Sequence, residues 1–192
     1  QMTPFQMAMI AAAAGNLEGK LMKPKIEFER QPEMFAQVLT PQQAAVVREI
    51  MATVTEEPGG TGVVISRALA GTGIRVGGKT GTAEKQVPSY DAKTGKLNTI
   101  KKRRKNAAGE WEDYNAPVMV ERSDSWFISI SPLEKPTFAI AVVVEGGGYG
   151  SRTAAPMAAN VILKARELGL LGEQYKPKQL PTKAPVKPKK RK

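Results

Sequence analysis

The chain contains no cysteine and no histidine among its 192 residues. Those two absences exclude serine–histidine–aspartate and cysteine–histidine catalysis within it, along with any metal site built on imidazole or thiolate. They also remove the disulfide as a marker of compartment. Aromatic residues are scarce, 6% against 41% hydrophobic overall, so the core is expected to be aliphatic and rich in Met and Ala. The longest apolar run, Met7 to Ala14, is eight residues, far short of the ~20 that cross a bilayer. Gln1-Met2-Thr3-Pro4 leads straight into a helical pattern, so no secretory leader is expected within these residues. The length allows one domain, or a large piece of one.

Charge is plentiful but localised. The formal net charge is +11. Residues 85–105 hold eight basic side chains and one acid, Asp91, and the segment from Lys176 onward holds eight more and no acid. The remainder has 13 basic against 17 acidic residues. A basic loop and a basic tail are appendages on a nearly neutral body, and neither contains a recognised nucleic-acid motif, so no nucleic-acid partner is expected.

Against this background one stretch stands out: Lys79-Thr80-Gly81-Thr82, preceded by Ile74, Val76 and the pair Gly77-Gly78. It reads as a short strand entered through a flexible glycine turn, with Lys79 and Gly81 on one face and Thr80 and Thr82 on the other. Such a strand offers a cation, hydroxyls and backbone donors to a carboxylate-bearing ligand, and Gly81 lets that ligand approach the main chain. A second copy, Lys93-Thr94-Gly95, follows Tyr90-Asp91-Ala92 without an apolar run and reads as a solvated turn.

In chain order, Thr3-Pro4-Phe5-Gln6 carries an N-cap threonine, a proline at the first helical position and a capping-box glutamine, predicting a helix from Pro4 to about Ala14. Lys25 to Phe28 suggests a short edge strand. Thr40-Pro41-Gln42-Gln43 repeats the start signal for a helix with Ala44, Val47, Met51 and Val54 on one face, and Val63 to Ala70 suggests a brief third. Residues 86–122 form a long connection without apolar periodicity, expected to be a mobile, solvated hairpin, with substrate or partner contact as the alternative. Trp126 to Ser131 and Thr137 to Glu145 read as a hairpin, the second strand central because it is apolar at both parities. After the glycine turn 146–150, a helix near Thr153 is expected to bury Met157, Val161, Ala165 and Leu168. That turn lacks the Lys-Ser/Thr ending of a P-loop, so phosphate binding is not expected. Residues 173–192 read as a Lys/Pro tail without enough apolar surface to order itself.

Taken together, Thr3-Pro4-Phe5-Gln6-Met7-Ala8, Gly78-Lys79-Thr80-Gly81-Thr82-Ala83-Glu84, Ser125-Trp126-Phe127-Ile128 and Ala155-Pro156-Met157 resemble the carboxy-terminal part of a penicillin-binding protein transpeptidase domain, most closely the monofunctional class B enzymes. The resemblance covers most of residues 1–172. It implies an α+β fold, an antiparallel sheet of five strands with helices on both faces, as in serine β-lactamases, the three strands visible here being the last three. It also implies serine acyl-enzyme chemistry on peptidoglycan stem peptides, without metal or organic cofactor. Lys79 would join the hydrogen-bond network around a second serine, the hydroxyls of Thr80 and Thr82 would take the substrate or β-lactam carboxylate, and the Thr82 N–H would donate to the oxyanion. The peptide would add as a strand alongside.

The family's nucleophile sits in Ser-x-x-Lys, with a second Ser-x-Asn, both upstream of Lys-Thr-Gly. None of the seven serines here has lysine three places on or asparagine two places on. The expectation is that both motifs, and a membrane anchor holding the site on the outer face of the cytoplasmic membrane, lie in an N-terminal remainder, which is then a partner of this chain alongside β-lactams and other cell-wall synthesis proteins. A β-lactamase or a penicillin-sensing receptor of the same fold is the alternative.

Overall fold

The computed structural model describes residues 2–27 and 29–177. Helix α1 (Pro4–Gly15) and helix α2 (Pro41–Glu56) both begin with the predicted capping box: Thr3 and Thr40 each accept from the backbone three residues on, and Gln6 and Gln43 reach back to the cap N–H. Between them lies a two-stranded ribbon, β1 (Lys20–Met22) against β2 (Met34–Gln37), and a short α3 (Val63–Ala68) follows. The edge strand expected at 25–28 is not formed at residues 25–27, which connect the two ribbon strands; Phe28 lies outside the described residues.

The main sheet has three antiparallel strands in the order β3 (Gly77–Pro88), β6 (Met119–Ser131), β7 (Phe138–Val144). One face packs on α1 and α2 through Ala11, Ala14, Met51, Ala52, Ile130 and Leu133. The other packs on α3 and on α4 (Ala154–Glu167) through Ile65, Phe127, Ile162 and a row of alanines. Helices therefore cover both faces of an antiparallel sheet. Among the described residues β7 is an edge strand, not the central one. All seven of its residues are half-buried because α1 and α4 cover its two faces; apolarity at both parities reported covered faces rather than two strand neighbours.

Three further expectations need correction. Met157, Val161 and Leu168 of α4 are 48%, 43% and 63% exposed, and the buried face is Ala154, Ala155, Ala158, Ala159, Ile162 and Ala165. Apart from Ile162 the packing face is alanine, whose small side chains let the helix lie close to the sheet, so Met157 and Val161 are not packing residues. The connection 86–122 contains the expected hairpin, which joins β4 (Thr99–Lys105) to β5 (Trp111–Pro117), but its flanks are strand rather than loop, because β3 and β6 run on to the Pro88–Met119 pair. A two-stranded ribbon that belongs to neither main hydrophobic cluster needs no apolar alternation, which is why periodicity does not mark it. The tail begins later than 173: Glu173–Tyr175 is a 3-10 turn, Tyr175 packs against the core and its carbonyl accepts from Arg166 Nε (2.6 Å). Residues 178–192 lie outside the described residues.

Candidate functional site

The Lys79–Thr82 stretch sits near the start of β3, which among the described residues is the other edge of the sheet. Its entry is fixed by packing. The buried Thr55 hydroxyl of α2 donates to the Val76 carbonyl (2.5 Å), and Ile74 and Val76 are buried. Gly77 and Gly78 are strand residues, not a flexible turn. A Cβ on Gly77 would lie 2.9 Å from Leu133 Cδ1, and one on Gly78 would lie 2.4 Å from Phe127 Cζ. Glycine is required there so that Met51, Leu133 and Phe127 can close on the backbone.

Register assigns the faces as the alternation predicted. Lys79 pairs with Ile128 and Gly81 with Trp126 on the α1 side, whereas Thr80 pairs with Phe127 and Thr82 with Ser125 on the α4 side. A groove of about 350 Å³ runs beside this strand, lined by residues 79–83 together with Trp126, Ile128, Met2 and Met7. The structure thus brings Lys79, Thr80, Gly81 and Thr82 to one cavity. The Lys79 ammonium folds onto the Thr80 carbonyl (Nζ···O 2.7 Å), and among the described residues no carboxylate pairs with it. The Thr80 hydroxyl lies 2.6 Å from that of Thr61, in the turn after α2. If Thr61 supplies that proton, the Thr80 hydroxyl keeps its own for a ligand. The second Lys-Thr-Gly is a turn, as expected: Asp91 Oδ1 accepts from the backbone of Lys93 and Thr94, and Gly95 has φ 67°.

Behind the strand the glycine loop 146–150 acts as a brace. Ser125, fully buried, donates to the Tyr149 carbonyl (3.2 Å) and accepts from the Ala154 N–H (3.1 Å). Gly148 N–H donates to the Ser123 carbonyl (2.9 Å), and Gly150 presses onto the β3–β6 ladder at Gly81 and Trp126. Asp124 accepts from Lys85 Nζ (2.7 Å) and from the Gly146 N–H (2.8 Å). Thr61, Asp124 and Gly150 are not expected as site residues from sequence; the glycine turn 146–150 reads there as a connection, and its contact with β3 is made by tertiary packing.

Those contacts shift two titrations. The hydrogen bond from Lys85, then that from Gly146, holds the Asp124 carboxyl below its ordinary 3.8, and the Asp124 hydrogen bond raises Lys85 above 10.5. A lowered carboxyl contributes stability that is complete above its unfolded value and lost as pH falls through the folded one; a raised lysine contributes below 10.5 and loses it as pH rises further. Thermal melts of the wild type and Asp124→Asn should therefore differ at neutral pH and converge as the pH drops below 3.8. A difference that persists unchanged in acid would show that the ionic contact is not its source.

Comparison with known proteins gives this arrangement a family. A model of the penicillin binding protein transpeptidase domain matches residues 1–163. The peptidoglycan D,D-transpeptidase MrdA of Haemophilus influenzae is 29% identical over 150 residues, 76% of this chain and 19% of that protein. The peptidoglycan D,D-transpeptidase PbpA of Mycolicibacterium smegmatis is 28% identical over 177 residues, 88% of this chain and 30% of that one. Among solved structures, the D,D-transpeptidase domain of a peptidoglycan glycosyltransferase from Eggerthella lenta superposes with a TM-score of 0.58 at 29% identity, over 88% of this chain and 33% of its own. The chain spans about a fifth to a third of the length of these relatives. It belongs to the penicillin-binding protein transpeptidase family.

Proposed function

We propose that this chain forms one wall of a peptidoglycan D,D-transpeptidase site, and that the serine acylated there is supplied by polypeptide outside these 192 residues. The observation that carries the reading is an edge strand whose Lys79, Thr80, Gly81 and Thr82 all line one groove, with an ammonium that no carboxylate neutralises among the described residues. The nucleophile would attack the carbonyl between two D-alanines, expelling the terminal D-alanine, and an acceptor amine would then take the acyl group. The Thr82 N–H would donate to the oxyanion, the Thr80 and Thr82 hydroxyls would hold the substrate or β-lactam carboxylate, and Lys79 would hold positive potential against both. The stem peptide would add to the free edge of β3, leaving Gly81 uncovered for close approach. No helix among the described residues is long and apolar enough to cross a membrane, so in this reading other polypeptide holds the site at the outer face of the cytoplasmic membrane.

The test is labelling with fluorescent penicillin. The protein in which this chain accompanies a Ser-x-x-Lys segment should take a stable covalent label, and the 192 residues alone should take none. A label mapped to any of this chain's seven serines would overturn the assignment of the nucleophile. Rapid hydrolysis of the label would move the reading to a β-lactamase.

A further inference from the structure

The β4–β5 hairpin stands outside both hydrophobic clusters, yet it is firmly joined to the strand that carries the groove. At the junction the Asn98 N–H donates to the Ser89 carbonyl (2.9 Å), the Asn98 carbonyl accepts from Val118 (2.8 Å), and the Asn98 amide donates to Ser89 Oγ (3.0 Å). Strand alternation puts Lys101, Arg103 and Lys105 on one face, together with Trp111, the register partner of Lys105. All four are exposed, Trp111 to 59%. Arg103 Cζ and Lys105 Nζ each lie 5.7 Å from the Trp111 ring centroid. Among the described residues one carboxylate, Asp113, meets this row, 3.5 Å from Arg103. On the opposite face Arg104 is satisfied by Glu112 at 2.7 Å. The exposed face is therefore a row of three cations, about 6.6 Å apart along the strand, beside an aromatic ring.

We propose that this face is a second contact for the carboxylate-bearing glycopeptide strand of peptidoglycan, engaging the polymer at a distance from the stem peptide being processed. The inference rests on the transpeptidase reading and extends it. From Thr82 to Pro88 the β3 backbone runs six residues, about 20 Å, before the hairpin begins, so a ligand touching both places must be a polymer. Stem-peptide carboxylates complement Lys101, Arg103 and Lys105, and the Trp111 ring offers an apolar face to a sugar. A lipid surface fits less well. The hairpin tip, Asn106-Ala107-Ala108-Gly109, has no large apolar side chain to insert, and Glu110 beside it would face phosphate.

The test is co-sedimentation of the intact protein with insoluble purified peptidoglycan, in parallel with phosphatidylglycerol vesicles. The triple variant Lys101→Gln, Arg103→Gln, Lys105→Gln should bind peptidoglycan roughly tenfold more weakly and still take the penicillin label at the wild-type rate. Wild-type binding should also fall as salt rises, a readout that needs no variant. Equal sedimentation of variant and wild type, salt-independent binding, or attachment to vesicles without attachment to peptidoglycan would each refute the proposal. If the wild type takes no penicillin label, the transpeptidase reading fails; if label forms but peptidoglycan binding ignores the hairpin, only the present inference fails.

Discussion

Replacing Lys79 by Ala in the intact enzyme should lower the rate of acylation by penicillin by about a hundredfold or more, with little change in thermal stability. The ammonium is exposed and its contact is one hydrogen bond to the Thr80 carbonyl, so the fold loses little by its removal. The groove, by contrast, loses its uncompensated cation among the described residues, on the same strand as the hydroxyls proposed to bind the carboxylate. Arginine should not rescue, because a planar guanidinium cannot reproduce a compact ammonium beneath the strand. Near-normal labelling of Lys79→Ala would remove this lysine from the chemistry.

A second large effect is expected at a residue that touches no ligand. Gly150→Ala would place a Cβ 2.3 Å from the Trp126 carbonyl oxygen and 2.6 Å from that of Gly81. Both obstacles are backbone, and the loop that carries Gly150 is tied down by Ser125 and Ser123, so neither side can yield cheaply. Overpacking of this kind costs about 1–3 kcal/mol. Relief that moves the ladder moves Gly81, and misplacement of a catalytic strand by about 1 Å can cost a hundredfold in rate. Acylation should therefore fall at temperatures where the variant is still folded. Gly146→Ala is the control. With φ at 65° and nothing within 4 Å of its Cβ, it should show a modest loss of stability from backbone strain and leave acylation intact. Equal acylation by both variants would mean that the brace does not position Gly81.

What the sequence disclosed depended on how local each signal was. Both long N-terminal helices were legible to the residue at their starts, because Thr3 with Gln6 and Thr40 with Gln43 are complete signals within four positions. The Lys79–Thr82 stretch and its face assignment followed from strand alternation, and its context separated it from the turn at Lys93-Thr94-Gly95. The buried face of α4 was hidden because alanine weighs little in any apolar pattern, although Ala155, Ala158 and Ala159 are where the helix meets the sheet. Thr61, Asp124 and Gly150 were hidden for another reason. They reach the site by tertiary contact from 19 residues before Thr80, from β6 and from a glycine loop, and no spacing encodes that. Gly77 and Gly78 showed the opposite error: their presence was noticed and read as freedom, whereas they mark crowding by Leu133 and Phe127.

The most direct test of the central claim is a crystal structure of the intact protein acylated by a penicillin. The β-lactam carboxylate should lie within hydrogen-bond reach of the Thr80 and Thr82 hydroxyls, the acyl oxygen on the Thr82 N–H, and the ester on a serine outside this chain. An adduct seated away from β3, or a carboxylate held elsewhere with Lys79 turned to solvent, would contradict it.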